Sequence, residues 1–146
     1  MDARQLHERL VALLNHHDAQ GAAGLYAEDR EFQSSGEATA TGPSAVATLF
    51  QRLMDVSADL HVETKRAFGE GQVAAFEVVL SGTSSGPLPM PSGHVLPATG
   101  RAWGLPYMSI VEVDAGRISK HTVYLNNLSL LTQLGWAPSA PYGRHD

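Results

Sequence analysis

From Gln72 to Ser81 the side chains alternate in a way that only an extended strand accommodates. Ala74, Phe76, Val78 and Leu80 fall on one side, and Val73, Ala75, Glu77 and Val79 on the other, because successive side chains of a strand point to opposite faces. Both sets are mostly apolar. A sheet that is apolar on both faces is covered on both. Helices elsewhere in the chain suffice for one side, so a second copy of the chain, paired through the sheet, is expected on the other.

The flanking segments supply those helices and further strands. Leu6, Leu10, Leu13 and Leu14 form one stripe of an N-terminal helix, with His16 and His17 solvated at its end. Asp18 is placed to cap a second short helix that carries Ala22, Leu25 and Tyr26 inward. Arg30–Ser34 is short enough for a strand and Gly36–Gly42 reads as a loop. Pro43 then opens a third helix with Val46, Leu49, Phe50, Leu53 and Met54 on its buried face. From Asp59 an extended run alternates Leu60, Val62 and Thr64 with His61, Glu63 and Lys65, and Glu70-Gly71 turns it into the central strand. Gly82–Gly100 holds most of the turn residues and reads as a long loop. Arg101–Val113 resumes the strand pattern, with Trp103, Leu105, Tyr107, Ser109, Val111 and Val113 on one side. Pro106 points to a bulge or an edge position there. After Asp114-Ala115-Gly116, the run Ile118 to Leu125 has strand character. Asn126 and Asn127 break it, and Leu128, Leu130, Leu131 and Leu134 form a short helix stopped by Gly135. The order is that of an α+β fold: helices on one face of a curved, mostly antiparallel sheet, enclosing a cone with an open end.

Several function classes are disfavoured. The formal net charge is −5, which argues against nucleic-acid and anionic-membrane partners. There is no cysteine, so thiolate chemistry and Cys-ligated metal are excluded. The histidines lack metal-ligand spacing, so no metal is expected. The glycine-rich GTSSGPLPMPSG lacks the Gly-Lys-Ser/Thr of a phosphate loop. No apolar run approaches the roughly 20 residues that span a bilayer, and the N-terminus reads as an amphipathic helix, so a cytoplasmic location is expected. Residues 1–136 are expected to form one domain and 137–146 a poorly ordered tail.

The ending VYLNNLSLLTQLG, together with HHDAQGAAGLYAED, DLHVET, GTSSGPL and PATGR in that order, resembles the SnoaL-like polyketide cyclases of the nuclear-transport-factor-2-like superfamily. The resemblance implies a cone-shaped half-barrel with three N-terminal helices and a short C-terminal helix, commonly a homodimer through the sheet. It also implies cofactor-independent ring closure on a polyketide-type small molecule. Isomerases, hydratases, epoxide hydrolases and non-catalytic binding domains share the superfamily, so the fold alone does not give the reaction. Where members carry an acid/base aspartate at the end of the last strand, this chain has Asn126; where many carry the histidine of GTHTG, it has Ser84. An amide is no general base near neutral pH, though it exchanges hydrogen bonds.

The resemblance turns Tyr124 and Asn126 inward, which leaves His121 on the opposite face unless a bulge intervenes. Asn126, Tyr124 and His121 are therefore the candidates for catalysis. Trp103, Tyr107, Ser84, Asp29, Phe50, Phe76 and His94 are the candidates for substrate contact. Glu77 and His61 read as exposed or interface charges, and Tyr26 and Met108 as further wall residues. Two mechanisms stay open: acid/base closure through a non-standard residue, and closure by shape with a hydrogen bond to a carbonyl. A pocket that binds a hydrophobic molecule without turnover is the alternative function, and an aldol-type cyclase or isomerase the other.

Overall fold

The computed structural model describes residues 1–28, 30–34, 37–90 and 92–135. In chain order the elements are α1 (Ala3–Asn15), α2 (Ala19–Ala23), β1 (Glu31–Ser34), β2 (Glu37–Thr41), α3 (Gly42–Val56), β3 (His61–Phe68), β4 (Val73–Thr83), β5 (Leu88–Pro89), β6 (Val95–Leu96), β7 (Ala102–Asp114), β8 (Arg117–Tyr124) and α4 (Asn127–Leu134). Six strands form one curved, mixed sheet in the order β2-β1-β8-β7-β4-β3, while β5 and β6 pair separately. All neighbours in the large sheet are antiparallel except β1 and β8, which run parallel with Phe32 opposite His121. This is the expected α+β half-barrel, an open sheet with helices on its concave face.

Local chemistry sets the helix ends. Asp2 and Gln5 form a reciprocal capping box at the start of α1, each side chain bonding the other's backbone N–H at 2.9 Å. Asp18 caps α2 through Gly21 N–H at 2.8 Å. Ala3, Leu6, His7, Leu10 and Leu14 are the buried face of α1, and Val46, Phe50 and Met54 lie on that of α3. They pack on the concave side of the sheet, where Val62, Ala74, Phe76, Val78, Leu80, Leu105, Val111, Ile118 and Val123 complete the core.

Two amide side chains stand in for missing strands. Asn15 donates to the Val62 carbonyl (2.9 Å) and accepts from its N–H (2.7 Å) on the edge strand β3. Gln133 of α4 does the same to Gly104, both bonds at 2.9 Å. Each closes one rung of an otherwise open ladder. The second also explains Pro106. Backbone groups two residues apart point to the same side of a strand, so Pro106 faces the edge that Gln133 guards, and its missing N–H costs no rung. Pro106 pairs with Val79 without any register shift, so of the two expectations the edge position holds and the bulge does not.

Two segments differ from the sequence expectation. Within Gly36–Gly42, where the sequence reads as a loop, β2 forms a hairpin with β1, Phe32 opposite Ala40. Its Glu-Ala-Thr-Ala-Thr alternation is a strand pattern that alanine, a poor strand former, obscures. The run Gly82–Gly100 is not all loop: β4 continues through Thr83, and β5 and β6 make a short hairpin inside it. The expected tail, 137–146, lies outside the described residues.

Gly82 ties the end of β4 to α3. A Cβ there would lie 2.7 Å from Ser57 Cβ and 2.8 Å from Ser57 Oγ, and Ser57 Oγ accepts the Trp103 indole N–H at 2.9 Å. Gly82→Ala is therefore expected to destabilise the fold by about 1–3 kcal/mol through overpacking and loss of that bond. Urea denaturation checks this; an unchanged midpoint would show that the contact relaxes freely.

Candidate functional site

Polar side chains are few on the concave face, and three of them form a chain. His121 of β8 is buried between Tyr26, which follows α2, and Ser109 of β7. Tyr26 Oη lies 2.6 Å from His121 Nδ1, and Ser109 Oγ lies 2.6 Å from His121 Nε2. Phe32 meets the imidazole edge-on at 4.9 Å between ring centroids, and Phe50 packs against both Tyr26 (6.0 Å) and Phe32 (6.2 Å). Tyr107, two residues before Ser109 on the same face, is half-buried. No hydrogen bond to its hydroxyl is found among the described residues.

The strand geometry that puts His121 inside is a bulge. Glu112 pairs with Lys120 and Val113 with Ile118, which leaves Ser119 as an extra residue in β8. Ser119 Oγ donates to the Glu112 carbonyl at 3.1 Å across this break. Counting in steps of two from the buried Ile118 would turn Lys120, Thr122 and Tyr124 inward; the extra residue reverses the parity, so His121 and Val123 face the core. The inward placement of Tyr124 and Asn126 is thereby corrected. Tyr124 is 52% exposed on the outer face. Asn126 is exposed and caps α4, its Oδ1 accepting from Ser129 N–H at 3.0 Å.

The other expected site residues divide in the same way. Phe50, Phe76 and Tyr107 join the set around His121. Trp103 is buried three rows along β7 with its indole satisfied by Ser57. Ser84 knots the base of the loop: its Oγ accepts from Thr99 N–H (3.0 Å), its N–H donates to Arg101 (2.8 Å) and its carbonyl accepts from Gly100 (2.8 Å). Its polar atoms therefore serve the backbone. His94 is exposed on the β5–β6 hairpin, and Met108 lies on the outer face. Glu77 is also on the outer face, paired with Arg66 at 2.7 Å, and His61 is exposed. Asp29 lies outside the described residues. Two surface clefts, of about 510 and 260 Å³, are lined by none of the His121 set. Among the described residues no group of His, Asp or Glu is arranged to hold a metal.

Sequence reasoning missed His7 and undervalued Ser109. His7 is buried on α1, its ring stacked on Phe76 at 3.7 Å and 6°. Its Nε2 lies 3.0 Å from Thr64 Oγ1. The signal was there: Ala3, Leu6, His7 and Leu10 share helical spacing, so a histidine interrupts an apolar stripe.

Burial decides the electrostatics. It pushes the His7 imidazole down to about 4, and burial with the field of His7 pushes His121 down to about 3. Burial, then the proximity of Tyr107, raises Tyr26 well above the ordinary phenol value; burial also raises Tyr107. Near neutral pH both histidines are neutral and both phenols protonated, so the set exchanges hydrogen bonds without carrying charge. Ser109 is a poor nucleophile here. It pairs with Phe76 on one side and Val123 on the other within continuous ladders, so no free pair of backbone N–H groups stands beside it to hold an oxyanion.

These shifts predict a pH dependence. Both histidines have folded values below the unfolded 6.5, so the unfolded chain binds protons first as the pH falls. Stability from these groups is complete above about 6.5 and is lost as the pH drops, ending near 4 for His7 and near 3 for His121. Between pH 6 and 5 each contributes a slope approaching about 1.4 kcal/mol per pH unit. Denaturation series at these pH values should show the sum of the two slopes, with His7→Phe keeping the one that belongs to His121; a flat profile would contradict the burial of neutral imidazoles.

Among proteins of curated function, none matches the chain in sequence. Solved structures share its fold. AclR, a candidate hydroxylase from Streptomyces galilaeus, superimposes with a TM-score of 0.76 at 20% identity, over 93% of this chain and 97% of its own. IdmH, a candidate polyketide cyclase from Streptomyces antibioticus, gives 0.74 at 20% identity over 92% and 99%. A protein with a ketosteroid isomerase-like fold from Catenulispora acidiphila gives 0.72 at 20% identity over 91% and 97%. At such identities the likeness is one of fold. The SnoaL-like domain model matches residues 7–121, a span that begins and ends at the two interior histidines. The chain belongs to the SnoaL-like domain family.

Proposed function

We propose that this protein is a cofactor-independent, ring-forming enzyme acting on a largely apolar, polyketide-type intermediate. It holds the chain folded and donates a hydrogen bond to a carbonyl as ring closure places charge on its oxygen. The observation that carries the reading is the Tyr26–His121–Ser109 chain, two 2.6 Å hydrogen bonds inside an aromatic wall. A neutral imidazole with a depressed pKa is a weak base, so proton abstraction is not its task. A hydroxyl donor pre-aimed in a dry interior is effective for a different reason: it stabilises developing charge without reorganising. Pre-folding of the substrate supplies the remainder, as orientation does in intramolecular reactions. The likeness to IdmH supports the ring-forming class, and Tyr107 is the member of the set with access to solvent.

Binding without turnover is the second reading. It draws on the same electrostatics: the interior histidines are neutral, and no carboxylate is buried among the described residues.

The second copy of the chain belongs to the outer sheet face. Its rows run Phe68–Ala75–Ile110–Thr122 and Arg66–Glu77–Met108–Tyr124, with Val79 opposite Pro106 beyond them. Phe68 (45%), Val73 (50%), Met108 (37%) and Tyr124 (52%) are exposed there. Exposed apolar side chains around one ion pair, Arg66–Glu77, make a face that an isologous dimer would cover.

Two experiments test these proposals. In single-turnover cyclisation of a linear poly-β-ketone thioester, followed by chromatography, Ser109→Ala should lose about 10²-fold in rate. Asn126→Ala should lose only stability, about 1 kcal/mol, through its cap. Equal rate losses would return the chemistry to the end of β8, and binding without product would favour the second reading. Light scattering should give a dimer mass for the intact chain and a monomer mass for Ile110→Lys; a monomer in both would remove the dimer.

A further inference from the structure

The outer face of the sheet owes part of its surface to a second bulge. Alternation from the buried Val62 through Thr64 would turn Arg66 and Phe68 inward. The register of β3 on β4 shifts between Thr64 and Arg66, which leaves Lys65 as an extra residue. Arg66 is thereby set opposite Glu77, and Phe68 opposite Ala75, on the outer face. The guanidinium is held there from two sides. Its Nε and Nη2 donate to Glu77 at 3.0 and 2.7 Å, and its carbon lies 5.3 Å from the Phe68 ring centroid.

Half of this ion pair is unused. Both donated bonds end on one carboxylate oxygen, Oε2. No hydrogen bond to Glu77 Oε1 or from Arg66 Nη1 is found among the described residues. A guanidinium carries its N–H donors in a planar fork, and a carboxylate accepts on both oxygens. The pair therefore presents an unused donor edge and an unused acceptor, with no net charge. In a single chain its side chains are 66% and 36% accessible, and water serves both free groups, so the pair adds little stability. Its surroundings are apolar: Phe68, Met108 and Tyr124 are exposed on the same face. A partner that covers those side chains takes the ion pair out of water as well. A purely apolar partner would leave both free groups buried and unpaired, which is costly.

We infer that this ion pair is shared between two copies of the chain, Arg66 of each donating through Nη1 to Glu77 Oε1 of the partner subunit. The inference rests on the dimer proposed above and gives that contact its register. A free donor and a free acceptor on one held unit are self-complementary under a two-fold rotation: what one copy offers, the other returns. The two-fold axis then passes beside Arg66 and Glu77, and the side chains of the two copies close a ring of alternating charge. Met108 and Tyr124 continue the same row across the sheet and extend the contact with apolar surface. Such a ring meets the condition under which buried charges are tolerated, each facing an opposite charge with its hydrogen bonds made.

The test exchanges the charges one at a time. Arg66→Glu alone gathers only carboxylates around the axis, and Glu77→Arg alone gathers only guanidinium groups. Each should weaken the dimer on the order of 10²-fold in a light-scattering dilution series. Mixed in equal amounts, the two variants should form a heterodimer of near wild-type affinity, because every contact between the copies then joins opposite charges. The double variant Arg66→Glu/Glu77→Arg should dimerise as the wild type does. Rescue on mixing does not come from the pair within one chain, which both variants lack, nor from a folding defect, which mixing leaves unrepaired. Single variants that dimerise as tightly as a dimeric wild type would overturn the inference and leave the dimer standing. Monomeric variants that stay monomeric when mixed would do the same. A monomeric wild type would remove the dimer and the shared pair together.

Discussion

The concave face depends on two hydrogen bonds to one imidazole. Burying a histidine among Phe32, Phe50 and Tyr26 removes both ring nitrogens from water, and each unpaired nitrogen would cost on the order of 1–3 kcal/mol. Tyr26 and Ser109 satisfy both at 2.6 Å. In doing so they join the segment after α2 to the neighbouring strands β7 and β8, while Phe32 of β1 closes on the ring edge. Helix layer and sheet are thus held together by packing and by polar ties, of which the one at His121 fixes a defined point of β8. That point exists because Ser119 bulges out of β8.

The two faces of the sheet do different work. The inner face holds its polar groups neutral: depressed histidines, protonated phenols and a serine. The ring closure proposed for this face would rely on hydrogen bonds and shape, with no charge held in reserve. The outer face carries the ionic pair Arg66–Glu77 amid apolar side chains, and the guanidinium lies 5.3 Å from the Phe68 ring centroid. Such a surface suits contact with a second protein face better than contact with water. The edge between these two faces is managed by amides, Asn15 at Val62 and Gln133 at Gly104.

Much of this was legible in the residues. The alternation of β4 and β7 gave both faces correctly, including Ser109 on the inner one, and Pro43, Asp18 and Gly135 marked helix ends where the structure has them. The site was less legible because parity is cumulative. One unpaired residue at Ser119 exchanges the faces of everything after it, and nothing in Arg-Ile-Ser-Lys-His announces a bulge. Asn126 stands at the position that the resemblance matches to the aspartate some members use, yet its Oδ1 is occupied by the helix it starts. Trp103 and Ser84 looked available because their partners, Ser57 and the Thr99–Arg101 backbone, are distant or main-chain. His7 was visible as a polar residue on an apolar helical stripe, and that signal outweighs proximity to the family's motifs.

The central claim is that His121 is a neutral imidazole bonded through both nitrogens inside the cone. Long-range ¹H–¹⁵N correlation of the histidine rings at pH 7 and pH 5 tests it directly. The account predicts one protonated and one bare nitrogen for His121, with shifts unchanged between the two pH values. Averaged nitrogen shifts that titrate with a midpoint near the ordinary value of about 6.5 would contradict it.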